Sequence, residues 1–224
     1  MKICAIIPAF NEASHIAHVV EGARKHVESV IVIDDGSSDG TAELARNAGA
    51  FCIESPSNCG KAAALRRGFT HACAQNYTHA ITLDGDGQHL PQDIPVLLQA
   101  ARETEADLII GTRSFDRALM PRARYYSNTI GSRWASALAG RKINDSQSGF
   151  RLFRLDSLCR IKLRSQRYEF EMEALIKMGR AGCTIAHAPI HTVYDNGQAR
   201  SKMKLVRDTA RICLWSLAYR FLGA

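Results

Sequence analysis

Ala80-Ile81-Thr82-Leu83-Asp84-Gly85-Asp86-Gly87-Gln88-His89 is the stretch from which the fold is read. Its first four residues have the length and type of a buried strand, and the glycines and carboxylates that follow end it abruptly. In an open α/β sheet, ligands gather at the carboxyl ends of strands. Two carboxylates two residues apart, on an unwinding strand with glycine between them, can converge on one hard cation, and Gln88 adds a neutral oxygen. Such donors suit Mg²⁺ or Mn²⁺, which in turn bridges the oxygens of a diphosphate. An acidic turn that merely solvates a strand end is the alternative, and the triplet alone does not separate the two.

Working outward, the same arrangement recurs. Ile3 to Ile7, Ser29 to Ile33, Thr78 to Leu83 and Asp107 to Ile110 are short apolar runs. Helical stretches at 14–26, 40–48, 60–75 and 92–103 lie between them. Strands alternating with helices of this length predict β-α-β units and a mostly parallel central sheet flanked by helices. Ser14 is expected to open the first helix, Asp39-Gly40-Thr41 the second, and Pro91 with Asp93 the fourth. The second half is less regular. Arg113 to Arg124 reads as a basic loop, followed by a helix to about Ala139. Phe150–Phe153 is strand-like, 169–180 helical, and Thr184–Ile190 a strand. Residues 195–200 read as a polar loop, and a final helix runs over about 201–221.

Three more strand ends carry chemistry. Ile33-Asp34-Asp35-Gly36 places carboxylates where a ribose or nucleobase edge can donate to them, while Asp39 can cap the following helix. Ile7-Pro8-Ala9-Phe10-Asn11-Glu12 offers an aromatic face and a carboxylate. Asn58-Cys59-Gly60-Lys61 sets a cation at a helix start. No Gly-x-Gly-x-x-Gly follows the first strand, which excludes the dinucleotide fingerprint.

The 224 residues suit one domain with a full core. The net charge of +7 is unevenly spread: residues 1–110 carry 8 Lys/Arg against 14 Asp/Glu, and residues 111–224 carry 21 against 8. An acidic half to handle a cation and a basic half to meet phosphates fits this split. No helix-turn-helix, zinc-finger or RNA-binding signature supports a nucleic-acid partner. The seven cysteines are odd in number and form no Cys-x-x-Cys pair, so most are expected to be buried and reduced. No leader-like segment opens the chain, and a cytoplasmic setting is expected. The apolar run Ile212–Ala218 is far shorter than the roughly 20 residues of a membrane span. Its basic flanks leave a helix docked on the core, a homodimer or membrane-protein contact, or a helix lying on anionic lipid all open.

Taken in order, Pro8-Ala9-Phe10-Asn11-Glu12, Asp34 to Thr41, Asn58 to Lys61, Leu83 to His89, Gly111-Thr112-Arg113 and Asp145-Ser146-Gln147-Ser148-Gly149-Phe150-Arg151 resemble glycosyltransferase family 2. The likeness is nearest to the dolichyl- or polyprenyl-phosphate mannosyl- and glucosyltransferases and runs from residue 1 to about 205. It implies a GT-A catalytic domain over 1–205, with a nucleotide-binding half at 1–110 and an acceptor half at 111–205. Residues 201–224 would add a basic amphipathic helix. The implied reaction is inverting transfer of a hexose from a nucleotide diphosphate sugar to a polyprenyl phosphate at the cytoplasmic membrane face. Pro8, Phe10, Glu12, Ile33 and Asp35 would hold the nucleoside, with Phe10 where a Tyr often stands. Lys61, Asp84 and Gly85 would lie at the donor, Asp86 and Gln88 would bind the metal, and Arg113 would meet phosphates or sugar. Lys202 fits the family's diphosphate-gripping loop, with Arg200 at altered spacing beside it. Asp145 is the candidate base if the acceptor is a hydroxyl. A saccharide or other soluble acceptor, and a catalytically idle nucleotide-binding subunit, are the rival readings.

Overall fold

The computed structural model describes residues 1–113, 122–165 and 169–191. Seven strands form one sheet in the order β3-β2-β1-β4-β6-β5-β7. They are β1 (Ile3–Ala9), β2 (Ser29–Asp34), β3 (Phe51–Glu54), β4 (His79–Thr82), β5 (Leu108–Arg113), β6 (Arg151–Arg154) and β7 (Ile185–Ile190). All neighbours are parallel except β6, which runs antiparallel to both β4 and β5. The mostly parallel sheet is thus as expected.

The helices are α1 (Ile16–Arg24), α2 (Thr41–Asn47), α3 (Lys61–Ala74), α4 (Ile94–Thr104), α5 (Arg122–Ala139), α6 (Leu155–Cys159) and α7 (Phe170–Arg180). They cover both faces, which is why the central strands are apolar throughout. Alternation in β1 shows the division. Ala5, Ile7 and Ala9 pack with Ile16, Val19 and Leu97 of α1 and α4. Cys4 and Ile6 pack with Leu65 and Phe69 of α3 and the residues of α7. Gly68 lets α3 lie directly on the sheet, because a Cβ there would stand 2.5 Å from Cγ2 of Ile6.

Two consequences of this topology place the site. The chain leaves β1 for β2 on one side, while β4 pairs on the other, so β1 and β4 flank the switch point of the strand order, where a ligand crevice lies in such sheets. Because β6 enters antiparallel, Arg151 sits opposite Thr82 of β4 and Ile110 of β5. The loop before β6 is therefore delivered to the edge where β4 and β5 end.

Several local expectations are corrected. The first helix begins at Ile16 behind His15, and the Ser14 side chain does not cap it. Strand β3 and helix α6 were not foreseen: β3 is a four-residue edge strand with Phe51 and Glu54 exposed, so it has no buried run to mark it. The basic stretch is not one loop, since Arg113 ends β5 and α5 already starts at Arg122. Of the six described cysteines only Cys4 is buried; Cys52, Cys73 and Cys183 are half-buried, Cys59 and Cys159 are exposed, and none is in a disulfide. The final helix lies outside the described residues. Among the described residues no helix is long and apolar enough to cross a membrane.

Candidate active site

The loops after β1 and β2 are laced together by side chains. Asn11 N–H donates to Ser37 Oγ at 2.9 Å, and Ser38 N–H donates to Asn11 Oδ1 at 3.0 Å. Glu12 N–H donates to Thr41 Oγ1 at 2.9 Å. Asp39 accepts from Ala13 N–H and from Thr41 N–H, both at 3.1 Å, so it holds the first loop and the start of α2 together. The result keeps the Phe10 ring exposed and Glu12 and Pro8 half-buried at the crevice rim.

Asp35 and Ile33 both have side-chain partners within the protein. The Asp35 carboxylate is buried and accepts from Cys59 N–H at 3.0 Å and Gly60 N–H at 2.7 Å. It clamps the turn that launches α3 and so fixes Lys61 at that helix's first position. Ile33 has no exposed surface and packs beneath α3 beside Gly68. Strand alternation sends its side chain into the core, leaving only its backbone toward a ligand.

At the end of β4 the acidic segment folds back on itself. Gln88 N–H donates to Asp86 Oδ1 and its side-chain amide donates to Oδ2, each at 3.0 Å. His89 is buried against Phe150, and its Nδ1 accepts from Asp84 N–H at 3.1 Å. Its proton therefore sits on Nε2, and burial lowers the imidazole to about 4, leaving it neutral. Asp84 receives the Lys61 ammonium, Nζ to Oδ1, at 2.7 Å. Burial disfavours its charge, yet Lys61 and neighbouring positive groups hold the carboxyl down at about 2. Among the described residues Asp86 has no such partner. Burial, with the charges of Asp84 and Glu12 nearby, pushes it up to about 6.

That contrast is the test of whether a cation fits. The segment gathers more carboxylate charge than Lys61 can offset, and all of its donors are oxygens, as Mg²⁺ or Mn²⁺ requires. Among the described residues no three Asp, Glu, His or Cys side chains form a ready-made metal cluster. A metal that takes most of its ligands from water and a diphosphate needs none.

Across the crevice stands the loop before β6. Asp145 is wholly buried and receives Arg113 bidentately, Nε to Oδ2 at 2.7 Å and Nη2 to Oδ1 at 3.0 Å. Its Oδ1 also accepts from Gln147 and Ser148 N–H at 3.2 and 3.1 Å. Arg151 is buried beneath and donates to the carbonyls of Ser148, Ser146 and Glu171 at 2.7–2.8 Å. Gly149 brings the loop against the acidic segment: a Cβ there would lie 3.0 Å from Lys61 Nζ and 3.3 Å from an Asp84 oxygen.

Asp84, Gly85, Asp86, Gln88, Lys61, Arg113 and Asp145 are thus gathered at one sheet edge, with Pro8, Phe10 and Glu12 at its rim. Lys202 and Arg200 lie outside the described residues. One residue went unnoticed in the sequence. Glu171, in the first turn of α7, places Oε1 2.7 Å from Lys61 Nζ. No spacing could have marked it, because its partner is reached only through the fold.

Comparison with known proteins identifies the family and the fold. The sequence profile of Glycosyl transferase family 2 matches residues 4–160. The chain is 30% identical to an undecaprenyl-phosphate mannosyltransferase of Micrococcus luteus, covering 100% of this chain and 97% of that protein. It is 29% identical to a UDP-N-acetylglucosamine–dolichyl-phosphate N-acetylglucosaminyltransferase of Methanococcus voltae, covering 98% and 94%. Among solved structures it is similar to glucosyl-3-phosphoglycerate synthase from Mycobacterium tuberculosis in complex with Mn²⁺, UDP and phosphoglyceric acid. The TM-score is 0.78 at 20% identity, over 100% of this chain and 80% of that one. The fold is GT-A-like, and the chain is a glycosyltransferase belonging to glycosyl transferase family 2.

Proposed function

We propose that the enzyme transfers a hexose, with inversion, from a nucleotide diphosphate sugar to a polyprenyl phosphate at the cytoplasmic face of a membrane. The observation that carries this reading is the surplus of negative charge at Asp84 and Asp86, set across the crevice from Arg113. The names of the full-length relatives, a polyprenyl-phosphate mannosyltransferase and a dolichyl-phosphate N-acetylglucosaminyltransferase, favour a lipid phosphate acceptor.

Phe10 offers a face to the nucleobase, and Pro8 and Glu12 line the same rim. Asp35 acts by holding the turn before Lys61. Asp84 orients the donor sugar or ribose through hydrogen bonds to its hydroxyls. Asp86 and Gln88 would hold Mg²⁺ or Mn²⁺. A divalent cation there would supply positive charge to the departing nucleotide diphosphate. Lys202, with Arg200 near it, adds charge to the same phosphates.

The acceptor is already anionic at neutral pH. One of its phosphate oxygens attacks the anomeric carbon on the face opposite the diphosphate, and the electron pair of the breaking C–O bond leaves with the nucleotide. No proton need be removed, so a strong base is unnecessary. Asp145 fits this account as the residue that aims Arg113 at the incoming phosphate, since both of its oxygens already accept hydrogen bonds from Arg113. A metal-supplemented assay of labelled GDP-mannose, UDP-glucose and UDP-N-acetylglucosamine with polyprenyl phosphate tests the reading. Label in a chloroform-soluble, acid-labile product is expected. Label only in a water-soluble product would favour a soluble acceptor.

A further inference from the structure

The Lys61 ammonium joins three parts of the chain that are distant in sequence. It stands 2.7 Å from Asp84 Oδ1, at the end of β4, and 2.7 Å from Glu171 Oε1, on the first turn of α7. Lys61 itself opens α3, on a turn clamped by Asp35. Glu171 is fixed in turn, since its carbonyl accepts from Arg151 at 2.7 Å. Arg151 also holds the carbonyls of Ser146 and Ser148, within the loop that carries Asp145 and so Arg113. Gly149 of that loop passes so close to Lys61 that a Cβ there would lie 3.0 Å from its Nζ. The donor side of the crevice and the Arg113 side therefore meet through one ammonium with a carboxylate on either hand.

A lysine side chain has four rotatable carbons and no geometric preference of its own. With Asp84 as its only anionic partner, it could swing toward a bound diphosphate or fold over the donor hydroxyls. The side chain of Glu171 is 12% exposed, and its position is set by the helix and by Arg151 rather than by solvent. It supplies the second, rigid point that fixes where the ammonium sits, and hence which way the Asp84 carboxylate faces.

We propose that Glu171 is a positioning residue of the donor site: it acts through Lys61 to orient Asp84 and ties that orientation to the Arg113 loop. It touches neither the sugar nor the metal. Its place on α7, within the acceptor half, makes donor binding depend on that half being folded in register. The inference rests on the donor-site reading given above.

The test is calorimetric titration of the full chain, with Mn²⁺, by the nucleotide sugar that the transfer assay selects. Glu171→Gln keeps the shape and an acceptor oxygen but loses the charge. It is expected to weaken donor binding about tenfold, as for a typical coupling between sites. Because Asp84 contacts the donor before and during transfer, KM should rise while kcat stays within about twofold. Glu171→Asp, which keeps the charge but draws it back, should fall between the two. In a Lys61→Met background, where the intermediary is gone, Glu171→Gln should have no further effect on donor affinity. A merely structural role would lower the melting temperature and the active fraction and leave the affinity of the folded protein unchanged, which would overturn the proposal. An effect of the same size in the Lys61→Met background would overturn it as well. Failure of the unsubstituted chain to bind any nucleotide sugar would refute the donor-site reading itself, and this proposal with it. Normal binding by that chain together with unaltered binding by Glu171→Gln would refute only the role of Glu171.

Discussion

Arg113 meets Asp145 side-on, with Nε 2.7 Å from Oδ2 and Nη2 3.0 Å from Oδ1, and the carboxylate that holds it has no exposed surface. The pair joins the end of β5 to the loop before β6 and leaves the guanidinium only partly exposed at the crevice. A planar, two-point contact of this kind sets direction as well as distance. A residue so engaged is better suited to aim a cation than to take up a proton.

Asp145→Asn should therefore lower transfer substantially, by about 10²-fold in kcat/KM, through loss of one of the two directed contacts. Its pH–rate profile should keep the shape of the unsubstituted enzyme's. Disappearance of the acidic limb in that variant would instead mark Asp145 as a base. Arg113→Lys should be nearly as damaging, because an ammonium cannot reproduce the fork.

Arg151 makes a prediction about stability. It is 1% exposed, and its three donors satisfy three main-chain carbonyls of the site loop and α7. Burial pulls its guanidinium down, against the opposing charges of Glu171 and Asp145, to about 10, so it remains charged at neutral pH. Arg151→Met should cost about 3 kcal/mol in urea unfolding, the order expected when buried carbonyls lose their partners. A loss below about 1 kcal/mol would mean that the carbonyls find other donors.

Packing of α3 on the sheet is tested at Gly68. An added methyl would lie 2.5 Å from Ile6 Cγ2, a β-branched atom with little freedom to move. Despite alanine's better helix propensity, Gly68→Ala should be destabilising by roughly 1–3 kcal/mol, as overpacked cores are. A stabilised variant would show that α3 can lift from β1 without penalty.

Glu173 bears on acid stability. It is wholly buried and accepts from Arg164 and Ser165 N–H at 2.7–3.0 Å, with Lys177 Nζ at 3.0 Å. Burial alone would raise its pKa, but these hydrogen bonds outweigh it and hold the folded value below the ordinary 4.5. A depressed folded pKa stabilises the protein above the unfolded value, and that contribution is lost as pH falls through the folded one. Melting temperature should thus decline on acidification from pH 5 downward, and Glu173→Gln, though less stable at pH 7, should decline less steeply. Parallel curves for the two proteins would exclude Glu173 as a source of the acid sensitivity.

Much of this was legible before the structure. The apolar runs before Asp34, Asp84 and Phe10 mark three adjacent parallel strands, because each run is buried on both faces and ends in residues that cannot continue it. Asp86 and Gln88 could be singled out because both partners of their contact lie within three residues. What could not be read is long-range. Glu171 reaches Lys61 only once α7 packs beside α3 and β4, and local sequence holds no trace of that contact. The family resemblance implies that Asp35 and Ile33 hold the nucleoside. That Asp35 also clamps the Cys59–Gly60 turn and that Ile33 packs under α3 depends on neighbours that local periodicity does not describe. Strand β3 escaped because an exposed four-residue edge has too few buried positions to show a pattern.

One comparison separates a divalent cation at Asp86, on which donor cleavage depends, from a site that works without one. Transfer of labelled sugar to polyprenyl phosphate would be measured for the unsubstituted chain and for Asp86→Ala, each with Mn²⁺ and with excess chelator. Chloroform-soluble product is expected only from the unsubstituted chain with metal, with a loss of at least about 10³-fold in the other three reactions. Undiminished product from Asp86→Ala, or from the unsubstituted chain in chelator, would contradict it.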